Sequence, residues 1–199
     1  MSFSFDVRTG QYKDDKTGRF IEKAKVESLL NKEVNRTETK LKSLVRGYFN
    51  GNLSKDEFRQ KYKKEIKNAS IRHAALGAGG VSGMDKKNYG FIGFYYSEIN
   101  QRVDRAIAAD TSEKQWLQRS NLYAHSTKGA FYWSDKKSQI IAGKTQAKRI
   151  LDPNAVHCSE CISFAKNEWT PIEDITPIGV SCRCRGRCRC RIIYRAYVD

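Results

Sequence analysis

His157-Cys158-Ser159-Glu160-Cys161 and, further on, Cys182-Arg183-Cys184-Arg185-Gly186-Arg187-Cys188-Arg189-Cys190 hold all six cysteines of the chain, in the pattern C-x2-C-x20-C-x-C-x3-C-x-C. None occurs before Cys158. Thiols crowded into one short basic segment divide the chain into a body and a tail, and the tail carries the specific chemistry. Cys158 and Cys161 read as a metal knuckle, because two thiolates separated by two residues can face one Zn²⁺ from a single turn. A second pair must close the tetrahedron, and it arrives 20 residues later, within the reach of two-knuckle sites.

The second half offers four thiols where two suffice. A C-x-C pair places both side chains on one face of an extended strand. Cys188 and Cys190 also run into Arg191-Ile192-Ile193-Tyr194, a strand-like anchor. The expected ligands of a closed, structural zinc are therefore Cys158, Cys161, Cys188 and Cys190, with Cys184 the first substitute and Cys182 and His157 as further alternates. The interleaved Arg183, Arg185, Arg187, Arg189 and Arg191 are expected to offset thiolate charge by hydrogen-bonding the sulfurs. Their remaining charge would face outward, towards nucleic-acid phosphate or an acidic protein partner.

A catalytic zinc keeps an open position and a nearby acid–base residue. Nucleobase deaminases pair a C-x-x-C with an upstream H-x-E, but His73, His125 and His157 are followed at the second position by Ala75, Thr127 and Ser159. H-E-x-x-H, G-x-S-x-G and a phosphate-binding Walker loop are also missing. The chain reads as a non-enzyme with no small-molecule substrate.

A net charge of +15 over 199 residues points to anionic surroundings. With 39% apolar residues the composition is that of a globular chain, not a disordered one. Met1-Ser2-Phe3-Ser4-Phe5-Asp6 lacks the features of a signal peptide, and no apolar run is long enough to span a bilayer. Synthesis in a reducing cytosol without a membrane partner is expected, where clustered thiols bind metal more often than they form disulfides.

Outward from the tail, residues 1–22 read as an extended arm or hairpin, punctuated by Thr9-Gly10 and Thr17-Gly18. Val26, Leu30, Val34, Leu41, Leu44 and Val45 predict a helix over 23–46. Ser54 and Glu57 form a capping box, with Leu53 and Phe58 as its hydrophobic staple, and Phe58, Tyr62, Ile66, Ala69 and His73 carry that helix to Leu76. Gly77-Ala78-Gly79-Gly80 reads as a hinge. Tyr89, Ile92, Tyr96, Ile99, Val103 and Ile107 mark a third helix; a fourth carries Trp116, Tyr123, Thr127, Ala130 and Phe131. Asp135–Gln146 reads as a polar linker. The expected fold is mainly α: an antiparallel helical bundle over 23–145 behind the arm, then a small α+β zinc-knuckle module over 146–199.

The tail resembles a known group. His157-Cys158-Ser159-Glu160-Cys161, then Trp169, Pro171-Ile172 and Pro177-Ile178-Gly179, then Cys184-x3-Cys188-Arg189-Cys190-Arg191 and Tyr194 are similar to the C-terminal module of bacteriophage head-morphogenesis proteins, the minor capsid proteins related to the Mu F family. The resemblance covers about residues 120 to 195. Leu122-Tyr123-Ala124, Phe131-Tyr132-Trp133 and Thr17-Gly18-Arg19-Phe20 are also similar to related phage sequences. Many members have His-Pro-Asn before the Cys-Arg-Cys element, where this chain has Gly179-Val180-Ser181. The resemblance implies a minor, non-catalytic virion component acting in head assembly at the head or head–tail junction. Its implied partners are the portal and major capsid proteins and the packaged DNA. Read without the resemblance, the same residues fit a stand-alone nucleic-acid-binding zinc protein, a regulator or packaging accessory.

Overall fold

Val26, Leu30, Val34, Leu41 and Val45 recur at helical spacing, and they form the buried stripe of α1 (Lys23–Phe49). The computed structural model describes residues 3–166, 168–180, 182–184, 187 and 189–197. α2 (Lys55–Gly77) starts at the capping box: Ser54 Oγ accepts from the Glu57 backbone N–H at 3.3 Å, and the Glu57 carboxylate accepts from the Ser54 N–H at 3.0 Å. Leu53 packs against the cluster that holds Phe58, as a staple should. α3 (Lys86–Ala108) is capped by Asp85, whose carboxylate accepts from Lys87 and Asn88. Its buried face runs through Ile92, Tyr95, Ile99, Val103 and Ala106, while Tyr89 is exposed.

The expected fourth helix is two helices, α4 (Glu113–Ser126) and α5 (Lys128–Ile141). At the join, Ser126 Oγ donates to the Tyr123 carbonyl at 2.8 Å and Thr127 Oγ1 donates to that of Ala124 at 2.6 Å. Such hydroxyls compete with the backbone for helical carbonyls and bend the chain there. The two arms of the chain are small sheets. β1 (Phe3–Asp6), β2 (Gln11–Asp14) and β3 (Phe20–Ile21) form an antiparallel sheet in sequence order. β4 (Gln146–Ile150) is the middle strand of a second, between β5 (Thr170–Pro171) and β6 (Arg191–Arg195), with α6 (Ser159–Lys166) in the connection. Helices thus dominate, and among the described residues none is long and apolar enough to cross a membrane.

Among the described residues, a small hydrophobic cluster (Ala74, Ile92, Ala130) and two large ones fill the interior. One gathers Val34, Leu41, Val45, Phe58, Tyr62, Ile99, Val103 and Trp116 from α1–α4. Trp116 takes Phe58 and Tyr62 edge-on at 5.1 and 5.2 Å, an arrangement that adds to burial because ring edges and faces carry opposite partial charge. The other cluster crosses from one end of the sequence to the other: Phe3, Tyr12 and Ile21 of the arm, Val26 and Leu30 of α1, Phe131 and Tyr132 of α5, and Ala147, Ile172, Ile178 and Ile192 of the C-terminal segment. The arm and the tail therefore share a core.

Two sequence expectations are corrected here. The stretch from Asp135 is not a linker, because it belongs to α5, and Ser134, Asp135, Lys136, Ser138 and Gln139 are buried. Most of these buried polar groups find partners, as burial demands, although Asp135 Oδ2 has none among the described residues. Asp135 accepts from the Tyr12 hydroxyl at 2.9 Å, Lys136 donates to the Ile175 carbonyl, and Gln139 donates to the Gly10 carbonyl at 3.1 Å. Burial pushes the Asp135 carboxyl above its ordinary range, and the Lys23 charge and the Tyr12 hydrogen bond only partly offset it. The Gly77–Gly80 stretch is likewise no hinge but a site of close approach. A Cβ on Gly77 would meet the Phe131 carbonyl oxygen at 2.2 Å, and one on Gly79 (φ +75°) would meet the Phe5 backbone N at 2.2 Å. The Gly77 carbonyl, one of those a helix end leaves without an intrahelical partner, accepts from Tyr12 and Ser138 at 3.1 and 3.2 Å.

Two glycine-to-alanine variants separate these roles. Gly77→Ala forces α2 from α5 and is expected to destabilise by about 3 kcal/mol, as overpacking does. Gly90 lies inside α3 with nothing within 4 Å of an added Cβ, so Gly90→Ala is expected to stabilise by about 0.5–1 kcal/mol. Urea unfolding of both variants measures the contrast.

Candidate metal centre

α6 begins one residue after Cys158, so the first knuckle thiol precedes the helix and Cys161 sits inside its first turn. That winding brings both sulfurs to one side. The loop after Gly179 then returns over them and delivers Cys184. The ligand atoms of Cys158, Cys161 and Cys184 lie within 4.8 Å of one another, and Cys161 Sγ is 3.5 Å from Cys184 Sγ. Cys182 Sγ lies 3.3 Å from Cys184 Sγ. A tetrahedral zinc with Zn–S bonds of about 2.3 Å needs sulfurs about 3.8 Å apart, so these separations need only small adjustment to hold an ion. Cys161 and Cys182 are buried and Cys158 and Cys184 are half-buried.

The structure thus brings Cys158 and Cys161 together, and the thiol that joins them is Cys184, the expected substitute, rather than Cys190. Cys190 is buried elsewhere, beside His157. Cys188 and Arg185 lie outside the described residues. A strand register explains the difference. Arg191 pairs with Ile150 at the start of β6, so Cys190 is fixed at the edge of the sheet, whereas Cys182 and Cys184 stand on the loop that crosses α6.

The Cys158 thiol is subject to opposing effects. Burial raises its pKa, but backbone N–H groups of Cys184 and Cys161 aimed at the sulfur outweigh it and hold the thiol below its ordinary value. Donors turned towards a sulfur favour thiolate, the form that binds metal.

Arg183 and Arg189 do not play the part expected of them. Arg183 turns to Glu160 at 3.3 Å and Arg189 to Asp152 at 3.9 Å, and both side chains are mostly exposed. Among the described residues, the guanidinium that reaches a sulfur belongs to Arg149 on β4. Arg149 is 1% exposed, its Nη1 lies 3.8 Å from Cys161 Sγ, its Nη2 donates to the Thr176 carbonyl, and its plane lies over the Phe164 ring at 4.8 Å. Its Nε has no partner among the described residues, and no carboxylate there pairs with it. The sequence signal was available in β4 itself: Ala147 and Arg149 occupy the buried positions of an alternating strand. An arginine in such a position requires an anion.

The histidines divide similarly. His73 is fully buried in α2, where desolvation pushes its imidazole down to about 4, so it stays neutral at physiological pH. His157 stands beside Cys190. Comparison of the chain with family models, with curated proteins and with solved structures finds no match. The geometry by itself defines the class: a mainly helical protein with a buried cysteine cluster able to bind a metal.

Arg149→Met keeps the stem and removes the charge. It is expected to weaken metal binding by about 10–100-fold, the usual effect of removing a group that hydrogen-bonds a metal ligand. Competition against a chromophoric chelator reads the change, and an unaltered affinity would show that Arg149 serves packing alone.

Proposed function

We propose that this chain is a non-enzymatic minor structural protein of a bacteriophage virion, acting in head assembly beside the portal and capsid. In this reading α1–α5 form an antiparallel bundle, and a structural zinc fastens the tail onto it. Cys158, Cys161 and Cys184 hold the ion, and Cys182 is the described thiol best placed to complete the set. The observation that carries the zinc reading is the buried Arg149 guanidinium against Cys161. Four thiolates around a divalent ion leave a double negative charge, and a buried arginine without a carboxylate offsets half of it. The virion role rests on the resemblance of residues 157–194 to phage head-morphogenesis proteins.

The tail adds little core of its own, since its apolar residues pack into a cluster shared with the arm and α5. Zinc at a thiolate site contributes on the order of 10 kcal/mol to folding, enough to hold the crossing loop in place. The exposed Arg183, Arg187, Arg189 and Arg191 then present a basic rim for phosphate or an acidic subunit surface. In particles of the phage that encodes it, the chain is expected by mass spectrometry at low copy relative to the major capsid protein, and the purified chain is expected to carry zinc. Chelation is expected to make the tail susceptible to trypsin. Absence from particles contradicts the virion role; a metal-free chain with a protease-resistant tail contradicts the staple.

The exposed arginines also support the second reading, a nucleic-acid-binding zinc protein. If four of them each neutralise one phosphate, log K for duplex DNA is expected to fall with log salt at a slope of about −3.6. A salt titration on duplex and single-stranded DNA measures it, and binding that is absent or salt-insensitive removes this alternative.

A further inference from the structure

The surplus of thiols is the one sequence feature that a single zinc leaves over. Cys190 does not join the cluster of Cys158, Cys161 and Cys184. Its sulfur lies 3.5 Å from Nδ1 of His157. The other ring nitrogen, Nε2, stands 2.7 Å from the Asp152 carbonyl oxygen. A carbonyl can only accept, so Nε2 carries the proton and, in the neutral ring, Nδ1 turns its lone pair towards the sulfur. Proteins commonly orient a metal-binding imidazole in this way, with a backbone carbonyl on the far nitrogen.

We propose that Cys190 and His157 form a second coordination pair for a divalent transition metal, separate from the thiol cluster and open towards the cleft beside it. The spacing suits this use. Zn–S of about 2.3 Å and Zn–N of about 2.0–2.1 Å at a tetrahedral angle give a sulfur–nitrogen edge of about 3.6 Å. Both partners are held independently of any ion. Cys190 is 3% exposed and immediately precedes β6, which is registered against β4, while His157 is tied to the Asp152 backbone. Cys190 borders a cleft of about 390 Å³ between α1, α5 and the tail, whose wall also includes Asp152 and Arg189. Water from the cleft would fill the remaining positions, since the Asp152 carboxylate is engaged by Arg189 and the Asn154 N–H, which makes this an exchangeable site rather than a closed staple. Thiolate with imidazole selects zinc, copper or nickel over magnesium or calcium.

The inference rests on the metal reading of the cluster only in that Cys182 and Cys184 are engaged there. Its rival is an ordinary S–H···N hydrogen bond of the same length. Zn²⁺ and Co²⁺ titrations of the full chain under reducing conditions, followed by native mass spectrometry and thiolate-to-cobalt absorption, distinguish the two. Two equivalents are expected for the native chain. His157→Gln, in a half-buried loop, and Cys190→Ala are each expected to lose the second equivalent and keep the first. One equivalent that neither variant alters would mean a hydrogen bond only, overturning this inference while leaving the staple intact. One equivalent lost from both His157→Gln and Cys184→Ser would place every ligand in one centre and also overturn it. No bound metal at all would overturn both readings.

Discussion

A guanidinium taken out of water must meet negative charge. Arg149 is buried against Cys161, the Thr176 carbonyl and the Phe164 ring. Desolvating an ion costs several kcal/mol even after the protein relaxes. A hydrogen bond from a charged donor contributes about 1.5–3 kcal/mol net, and a desolvated cation–aromatic contact about 2 kcal/mol. Those two neutral partners offset much of the cost but supply no countercharge, and Cys161 as thiolate is the described neighbour that could supply it. Metal binding produces thiolate by displacing the thiol protons. In the proposed reading Arg149, Cys161 and the ion are coupled: each makes the buried position of the others tolerable.

The same coupling locates the tail. Arg149 sits on the central strand of the C-terminal sheet, Cys161 on α6, and Cys184 on the loop beyond Gly179. In that reading one charged centre joins three segments whose apolar side chains also share a cluster. α5 does the equivalent work on the other side. Its buried polar residues reach the arm through Asp135 and Gln139, α2 through Ser138, and the tail through Lys136. The N-terminal arm and the C-terminal sheet, remote in sequence, meet across this helix in one cluster.

Much of the helical body was legible from spacing. The α1 stripe and the Ser54–Glu57 capping box needed only local rules, because a helix face and an N-cap are decided within a few residues. Where local rules failed, a partner distant in sequence had intervened. Asp135 and Gln139 read as linker residues because their partners, Tyr12 and Gly10, lie at the other end of the chain. Gly77 read as a hinge because the Phe131 carbonyl that forbids a side chain there is likewise invisible locally. In the site, the C-x-x-C knuckle was legible as a pair. The pairing of the later thiols was not, since alternation in a C-x-C says that two sulfurs share a face without saying which face meets the knuckle. Arg149 was overlooked in favour of arginines interleaved with the cysteines; nearness in sequence to a sulfur proved a poorer guide than an inward position on β4.

Zinc-edge X-ray absorption on the chain loaded with one equivalent of zinc tests the central claim most directly. A closed cysteine cluster predicts a first shell made of sulfur at about 2.3 Å. A shell of nitrogen and oxygen at about 2.0–2.1 Å, or failure to retain the ion, would contradict it.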